Sequence, residues 1–358
     1  MTRIMGREQT LAEPEADTVV RTATLTGQRF RVRDHYEVGR EKIREFARSV
    51  QNYHGAHHNE ADAHALGNEG IIAPPTFASV IGWTSTRALL DSVLTHYDLS
   101  QILQTDQSFE MLRPMVAGDK ITSDIVIESV REYGDNEFIT VKFVMTNQRG
   151  EVAQLGHTTI VGRRGTEIDP NLAKLVGGIM MHTPSRQELG LGDTDVLIRL
   201  GADSALEVDA ERENTPVYTV PKFADLAAGQ ALPASTAQVT RGDLANYAGV
   251  SGDTNPIHFS EQAAQLAGLP TVVAHGMLSM GLAGGYLTSW LGDPTAIEKF
   301  GVRLSSLVAV PADKASTIEF SGKVKSLDPE RKTATLLLNA TSEGRKIFGR
   351  AIAEVRLS

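Results

Sequence analysis

The stretch YAGVSGDTNPIHFSEQAAQLAGLPTVVAHGM, residues 247–277, decides how this chain is read. It sets a carboxylate, Asp253, five residues before an imidazole, His258, with the turn-formers Thr254, Asn255 and Pro256 between them. Eighteen residues after His258 comes Gly276, in an Ala-His-Gly-Met run that opens an apolar, helix-like segment. Singly, each has a plainer explanation: a loop Asp or His is often a cap, Asn-Pro is an ordinary turn signal, and a glycine can relieve packing. Together they supply an acid, a base and a backbone donor at a helix start, the parts needed for proton transfer beside a carbonyl.

The same frame occurs 201 positions earlier without that chemistry. His57, Glu60, Ala63, Gly67 and Ala73 fall on His258, Glu261, Ala264, Gly268 and Ala274 with no gap. Asp253, however, meets Asn52, which cannot ionise. Gly276 meets Pro75, which has no N–H to offer an oxyanion. The chain therefore reads as two copies of one domain, of which only the second is equipped for catalysis.

Working outward, residues 1–25 are polar and acidic and predict a flexible tail. Residues 26–164 make the non-catalytic copy, 165–215 a linker or crossover, and 216–358 the catalytic copy. In the first copy, 34–50 predicts an amphipathic helix, 51–75 irregular chain, and 76–94 a long buried helix. Strand-like runs follow at 108–112, 120–131, 138–147 and 152–161. The second copy repeats the order, with helices at 239–250 and 275–290 and strands at 301–308, 316–326, 333–341 and 346–356. One long helix followed by a run of strands predicts an α+β fold with the sheet wrapped on the helix. The 165–215 segment is too long for a hairpin; it either crosses between copies or adds an element to the second.

At 358 residues there is room for two domains, each with its own core. A net charge of −9 argues against general nucleic-acid binding, which rests on neutralising phosphates. No apolar run approaches the roughly 18–20 residues of a membrane span, and residues 1–20 lack a secretion signal's apolar core. There are no cysteines, so disulfides and thiolate–metal sites are excluded. These features lead us to expect a cytoplasmic location.

The run GlyAspThrAsnProIleHis at 252–258, followed by AlaHisGlyMet at 274–277, resembles the MaoC-like, R-specific enoyl thioester hydratase/dehydratase family. The resemblance spans about 216–358, and the first copy resembles the family's companion domain, with AlaProProThrPhe at 73–77. It implies a double hot-dog fold: two antiparallel sheets, each wrapped on a long helix and joined into one. It also implies Asp253 and His258 as the catalytic pair, Gly276 as oxyanion donor, and Asn255 as a water ligand or loop brace. The whole arrangement resembles a fused two-subunit (3R)-hydroxyacyl-ACP dehydratase of mycobacterial-type fatty acid synthase II. Implied partners are an acyl-ACP or acyl-CoA substrate, acyl carrier protein and other synthase enzymes.

The expected reaction is reversible loss of water from a (3R)-3-hydroxyacyl thioester in fatty acid elongation, mycolic acids included. It requires neither cofactor nor metal. The same site run in reverse is an enoyl-CoA hydratase for degradation or polymer supply, and a third reading is a non-catalytic acyl-thioester scaffold. Which of Asp253 and His258 handles which proton stays open, as does monomer against homodimer. Tyr247 and Asn255 are candidate substrate contacts. Phe77, Ile81 and Trp83, with Val80 and Leu90, are candidate walls for an acyl tail, though core packing explains most such residues. Met111, Leu112 and Met115 are further wall candidates, and His54, His57 and His58 invite a metal reading.

Overall fold

Half-buried strands show side chains that alternate across the pleat. The two runs chosen on that ground, 316–326 and 333–341, lie within strands Ser316–Asp328 and Thr333–Ser342. The computed structural model describes residues 22–94, 102–134, 136–163, 170–180, 196–201 and 211–358. Of the expected tail, only the last residues fall inside that set, as a 3-10 turn at Thr22–Leu25.

The first copy runs β1 (Arg29–Val32), β2 (Tyr36–Glu37), α1 (Arg40–Ser49), α2 (Glu60–Ala65), α3 (Ala78–Ser92), β3 (Leu103–Met111), β4 (Lys120–Tyr133), β5 (Asn136–Thr146) and β6 (Val152–Arg163). Then come α4 (Pro170–Ile179) and β7 (Leu197–Leu200). The second runs β8 (Ala231–Val239), α5 (Arg241–Ser251), α6 (Glu261–Leu266), α7 (Gly276–Leu291), β9 (Ile297–Leu304), β10 (Ser316–Asp328), β11 (Thr333–Ser342), β12 (Arg345–Lys346) and β13 (Phe348–Arg356).

Among the described residues thirteen strands form one sheet, ordered β7-β1-β4-β5-β6-β3-β9-β13-β11-β10-β8, with β2 beside β4 and β12 beside β11. The halves meet at an antiparallel seam running from Asp106 opposite Arg303 to Glu110 opposite Lys299. This is the continuous double hot-dog sheet, and it leaves neither half with a bare edge at the seam. α3 and α7 are the two central helices. Beside them α1 packs on α5, where Phe46 meets Tyr247, its counterpart 201 residues on, with ring centroids 6.3 Å apart. One apolar cluster runs through both halves, from Phe30 and Phe77 to Phe300 and Val355. Burying each such phenylalanine contributes about 1.5–3 kcal/mol.

Three expectations change. The helix placed at 34–50 starts only at Arg40, because Tyr36–Glu37 pairs with Ile121 and Lys120 of β4. The segment 51–75, read as irregular, holds a 3-10 turn at Gly55–His57 and α2. The strand within 165–215 joins the first half, not the second: β7 pairs with β1 along Arg29–Val32. Farther on, this connection crosses the seam. Arg212 donates to the Met111 and Glu298 carbonyls and meets the carboxylates of Glu110 and Glu298. Glu298 is nearly fully buried, and Arg331 donates to it at 2.8 Å, which offsets the cost of hiding its charge. Among the described residues, no helix is long and apolar enough to cross a membrane.

Candidate active site

α5 ends at Gly252 in the left-handed conformation, φ 80°, where a glycine turns the chain without steric cost. The next residue is Asp253. Its amide donates to Ser251 Oγ at 3.2 Å, and its own Oδ1 accepts from the Asn255 amide at 3.2 Å. Asn255 Oδ1 then caps the 3-10 turn Pro256–His258 by accepting from the Ile257 amide. Asn255 thus braces the loop, a role its side chain fills from the loop's own backbone, and Pro256 opens the turn where no N–H is needed. This chain of short bonds delivers His258 beneath the carbonyl of Val273.

His258 Nδ1 lies 2.8 Å from the Val273 carbonyl oxygen. A carbonyl only accepts, so Nδ1 carries the hydrogen and Nε2 the lone pair. The ring is buried, and burial pulls its pKa below the usual histidine value, against the opposing pull of the Asp253 charge. Its lone pair is therefore available at neutral pH. One ligand-capable atom from each of Asp253, His258 and His275 lies within 4.8 Å of the others.

His275 is the residue the sequence argument left without a role. Its Nε2 donates to the Asp253 carbonyl at 3.1 Å, and its ring stacks on His258 with centroids 3.7 Å apart and planes at 24°. Burial first, then the neighbouring His258, hold its pKa well below the usual value. The signal was present in the AlaHisGlyMet run, but a stack between rings 17 positions apart leaves no trace in spacing. The three residues also raise the question of a metal. The two rings lie in nearly parallel planes, whereas a tetrahedral ion takes its ligands from diverging directions, so the arrangement suits proton transfer better.

Gly276 is the first residue of α7. First-turn amides have no partner inside a helix, and the His275 side chain does not cap them. Gly276 lines the same cavity as Asp253, Asn255 and His258. A Cβ there would lie 2.4 Å from Leu304 Cδ1. Tyr247 also lines the cavity; burial and the Asp253 charge hold its hydroxyl protonated, with its pKa raised.

The cavity measures about 580 Å³ and lies between the halves. The second supplies the carboxylate, the imidazole and the helix start. The first supplies a mainly apolar wall from α3 and its sheet, including Trp83, Leu90, Phe109, Phe143 and Ile160. Val176 of α4 and Met180 just beyond its end add to the same wall. Of the proposed tail contacts, Trp83 and Leu90 reach the cavity. Phe77, Val80 and Ile81 do not: they face the core, where Phe77 packs edge-on against Phe46 at 5.4 Å. A helix shows one stripe to a cavity, and here the stripe is Ser79, Trp83, Thr86 and Leu90. Met111, Leu112 and Met115 line a separate space of about 50 Å³ beside Pro74–Pro75.

The first copy's counterpart is filled. His57 Nδ1 meets the Ile72 carbonyl at 2.8 Å, as His258 meets Val273, but its Nε2 is buried without a partner and its pKa is pushed down to about 3 by burial. Asn52 is buried and its amide faces Thr288 Oγ1 at 3.4 Å. His54 bonds the Gly292 carbonyl and the Ala56 amide, and His58 bonds the Asn52 carbonyl. Each of the three histidines thus holds backbone through at least one ring nitrogen.

Two family models match separate parts of the chain. Residues 24–155 match the family described as FAS1-like, dehydratase domain region, and residues 224–342 the MaoC like domain. A solved MaoC-like dehydratase is 41% identical, covers 93% of this chain and 99% of its own, and superposes with a TM-score of 0.85. A UPF0336 protein of Mycobacterium tuberculosis is 39% identical over 146 residues, 41% of this chain and 92% of that protein. A double hotdogfold protein of Mycobacterium tuberculosis, 12% identical, shares the fold over 92% of this chain and 96% of its own, with a TM-score of 0.57.

Proposed function

Because this chain belongs to the MaoC-like dehydratase family, a family of hydro-lyases, we propose that it interconverts (3R)-3-hydroxyacyl and trans-2-enoyl thioesters in fatty acid elongation. The carrier is acyl carrier protein or coenzyme A. The observation that carries the reading is the convergence of an imidazole lone pair, a carboxylate and an uncapped helix start in one cavity with an apolar far wall.

In the dehydration direction His258 Nε2 takes the C2 proton, which the thioester carbonyl acidifies. Electrons move into the C2–C3 bond as the C3–O bond breaks, and the hydroxyl leaves as water with a proton supplied from the Asp253–His258 pair. The Gly276 N–H, favoured by the α7 dipole, accommodates the charge that gathers on the carbonyl oxygen. In reverse, the pair grips and activates one water that adds to C3. The acyl tail lies against Leu90 and the first half's sheet, so the copy without the catalytic groups still shapes the substrate space.

The test is hydration of crotonyl-CoA, followed by loss of the conjugated enoyl thioester absorbance. Asp253→Asn and His258→Ala are each expected to lose at least about 100-fold in kcat. Equal behaviour of native and variant chains would leave the acyl-binding scaffold as the surviving reading. ACP- and CoA-linked substrates of several lengths then assign the carrier.

A further inference from the structure

We infer that Trp83, which belongs to the first half, is a positioning residue for the Asp253 loop of the second. The inference rests on the function proposed above. The Trp83 indole N–H donates to the Gly252 carbonyl at 2.8 Å. Gly252 is the left-handed residue that ends α5, and its carbonyl belongs to the peptide that leads into Asp253. The indole edge lies against this turn, because a Cβ on Gly252 would sit 3.4 Å from Trp83 Cδ1. The loop's other bonds, from Asp253 to Ser251, from Asn255 to Asp253 and from His275 to Asp253, stay within its own half. Trp83 ties it to the opposite one.

The repeat supplies an internal control. The counterpart of Trp83, 201 residues on, is Gly284, and the counterpart of Gly252 is Gln51, also left-handed at φ 52°. No indole bridges that pair. Instead α7 comes down directly on the inert turn. A Cβ on Gly281 would lie 2.4 Å from Val50 Cγ1, and one on Gly285 3.4 Å from the Val50 carbonyl oxygen. At the matching places α3 carries Val80 and Thr84, with Trp83 between them. α3 therefore meets the live turn through side chains where α7 meets the inert one through glycines, which leaves room between helix and turn. The indole spans that space and holds the turn that the approach of a glycine face fixes on the other side. Without its N–H, the Gly252–Asp253 peptide keeps only the Asp253 amide's bond to Ser251 Oγ, and the carboxylate is held less firmly beside His258.

The test replaces Trp83 by Phe, which keeps a ring but not the donor, and by benzothienylalanine, which keeps the indole shape and puts sulfur at the N–H. The second guards against a folding defect in the first. Both are expected to lower kcat for crotonyl-CoA hydration about 3- to 10-fold, the effect of one neutral hydrogen bond, while KM stays within about 2-fold. The same loss is expected on longer enoyl thioesters. Amide hydrogen exchange across 253–258 should quicken, with α7 unchanged. Wild-type kcat and wild-type exchange in the sulfur isostere would overturn the inference. So would a loss that grows with acyl length, which marks a chain wall and not a loop anchor. Should the native protein turn over no thioester at all, the proposed function fails, and the exchange measurement alone decides whether Trp83 orders this loop.

Discussion

Gly276 and Pro75 hold equivalent places, and that single difference can be transplanted. Proline is tolerated at the first position of a helix, and His275 already has the extended backbone, φ −59° and ψ 134°, that precedes a proline. Gly276→Pro should keep α7 and lose about 100- to 1000-fold in kcat, because it removes the N–H; the Cβ that it also adds is tested alone by alanine. Gly276→Ala keeps the N–H but brings a Cβ to 2.4 Å from Leu304 Cδ1, so Leu304 must swing within the cavity wall. It should raise KM and leave kcat within about 10-fold. Steady-state hydration of crotonyl-CoA separates the two. The buried histidines give a second residue-scale expectation. His57, His258 and His275 all have folded pKa values below their unfolded value, so the unfolded chain binds more protons as pH falls. Their contribution is complete above about pH 6.5 and for His57 is lost as pH falls toward about 3. His57→Asn should narrow the difference between urea midpoints at neutral and acid pH. At this scale the sequence revealed Asp253, His258 and Gly276, because short turns bind the first two to neighbours a few residues away and the third opens a helix. It did not reveal that Phe77 and Ile81 face inward, because a helix apolar all round carries no mark of which stripe meets the cavity.

The two central helices do opposite work with the same place in the repeat. α7 is flattened by Gly281, Gly284 and Gly285 and lies on Val50–Asn52. Gly281→Ala should destabilise the protein by about 1–3 kcal/mol, since its Cβ would sit 2.4 Å from Val50 Cγ1 and 2.9 Å from Val50 Cβ. Val50→Ala in the same chain should recover part of that, a coupling that a double-mutant cycle in urea would detect. Both helices were legible as long apolar runs, and six of the eight expected strand runs lie close to their observed bounds, two of them read from alternation. β8 escaped notice. Its sequence, ALPASTAQV, contains Pro233 and little apolar alternation, which suits a strand paired on one side only, by β10, at the end of the sheet. α2 spans six residues, too few for a helical period to declare itself.

For the molecule as a whole, the seam between β3 and β9 is the joint on which the cavity depends. A cut in the chain between 201 and 211 falls outside every described strand and leaves β7 with the first half. Each half alone should be inactive and prone to associate through its bared edge, β3 or β9. Mixed, the halves should regain crotonyl-CoA hydration in proportion to complex formed, so that specific activity falls on dilution. The uncut chain should show no such fall, because its connection keeps the partner's effective concentration high. Full activity from the second half alone would mean that the first contributes nothing to the site.

The unlike faces of α3 and α7 also bear on how such a molecule can change over time. In a two-fold homodimer every substitution is made twice, once at each symmetry-related place. An indole at the position of Trp83 would arrive together with one at Gly284, where a Cβ alone would already touch Thr76. Duplication inside one gene releases each face to drift by its own rules, so that the ancestral pocket surplus to need can be filled while its sibling is widened.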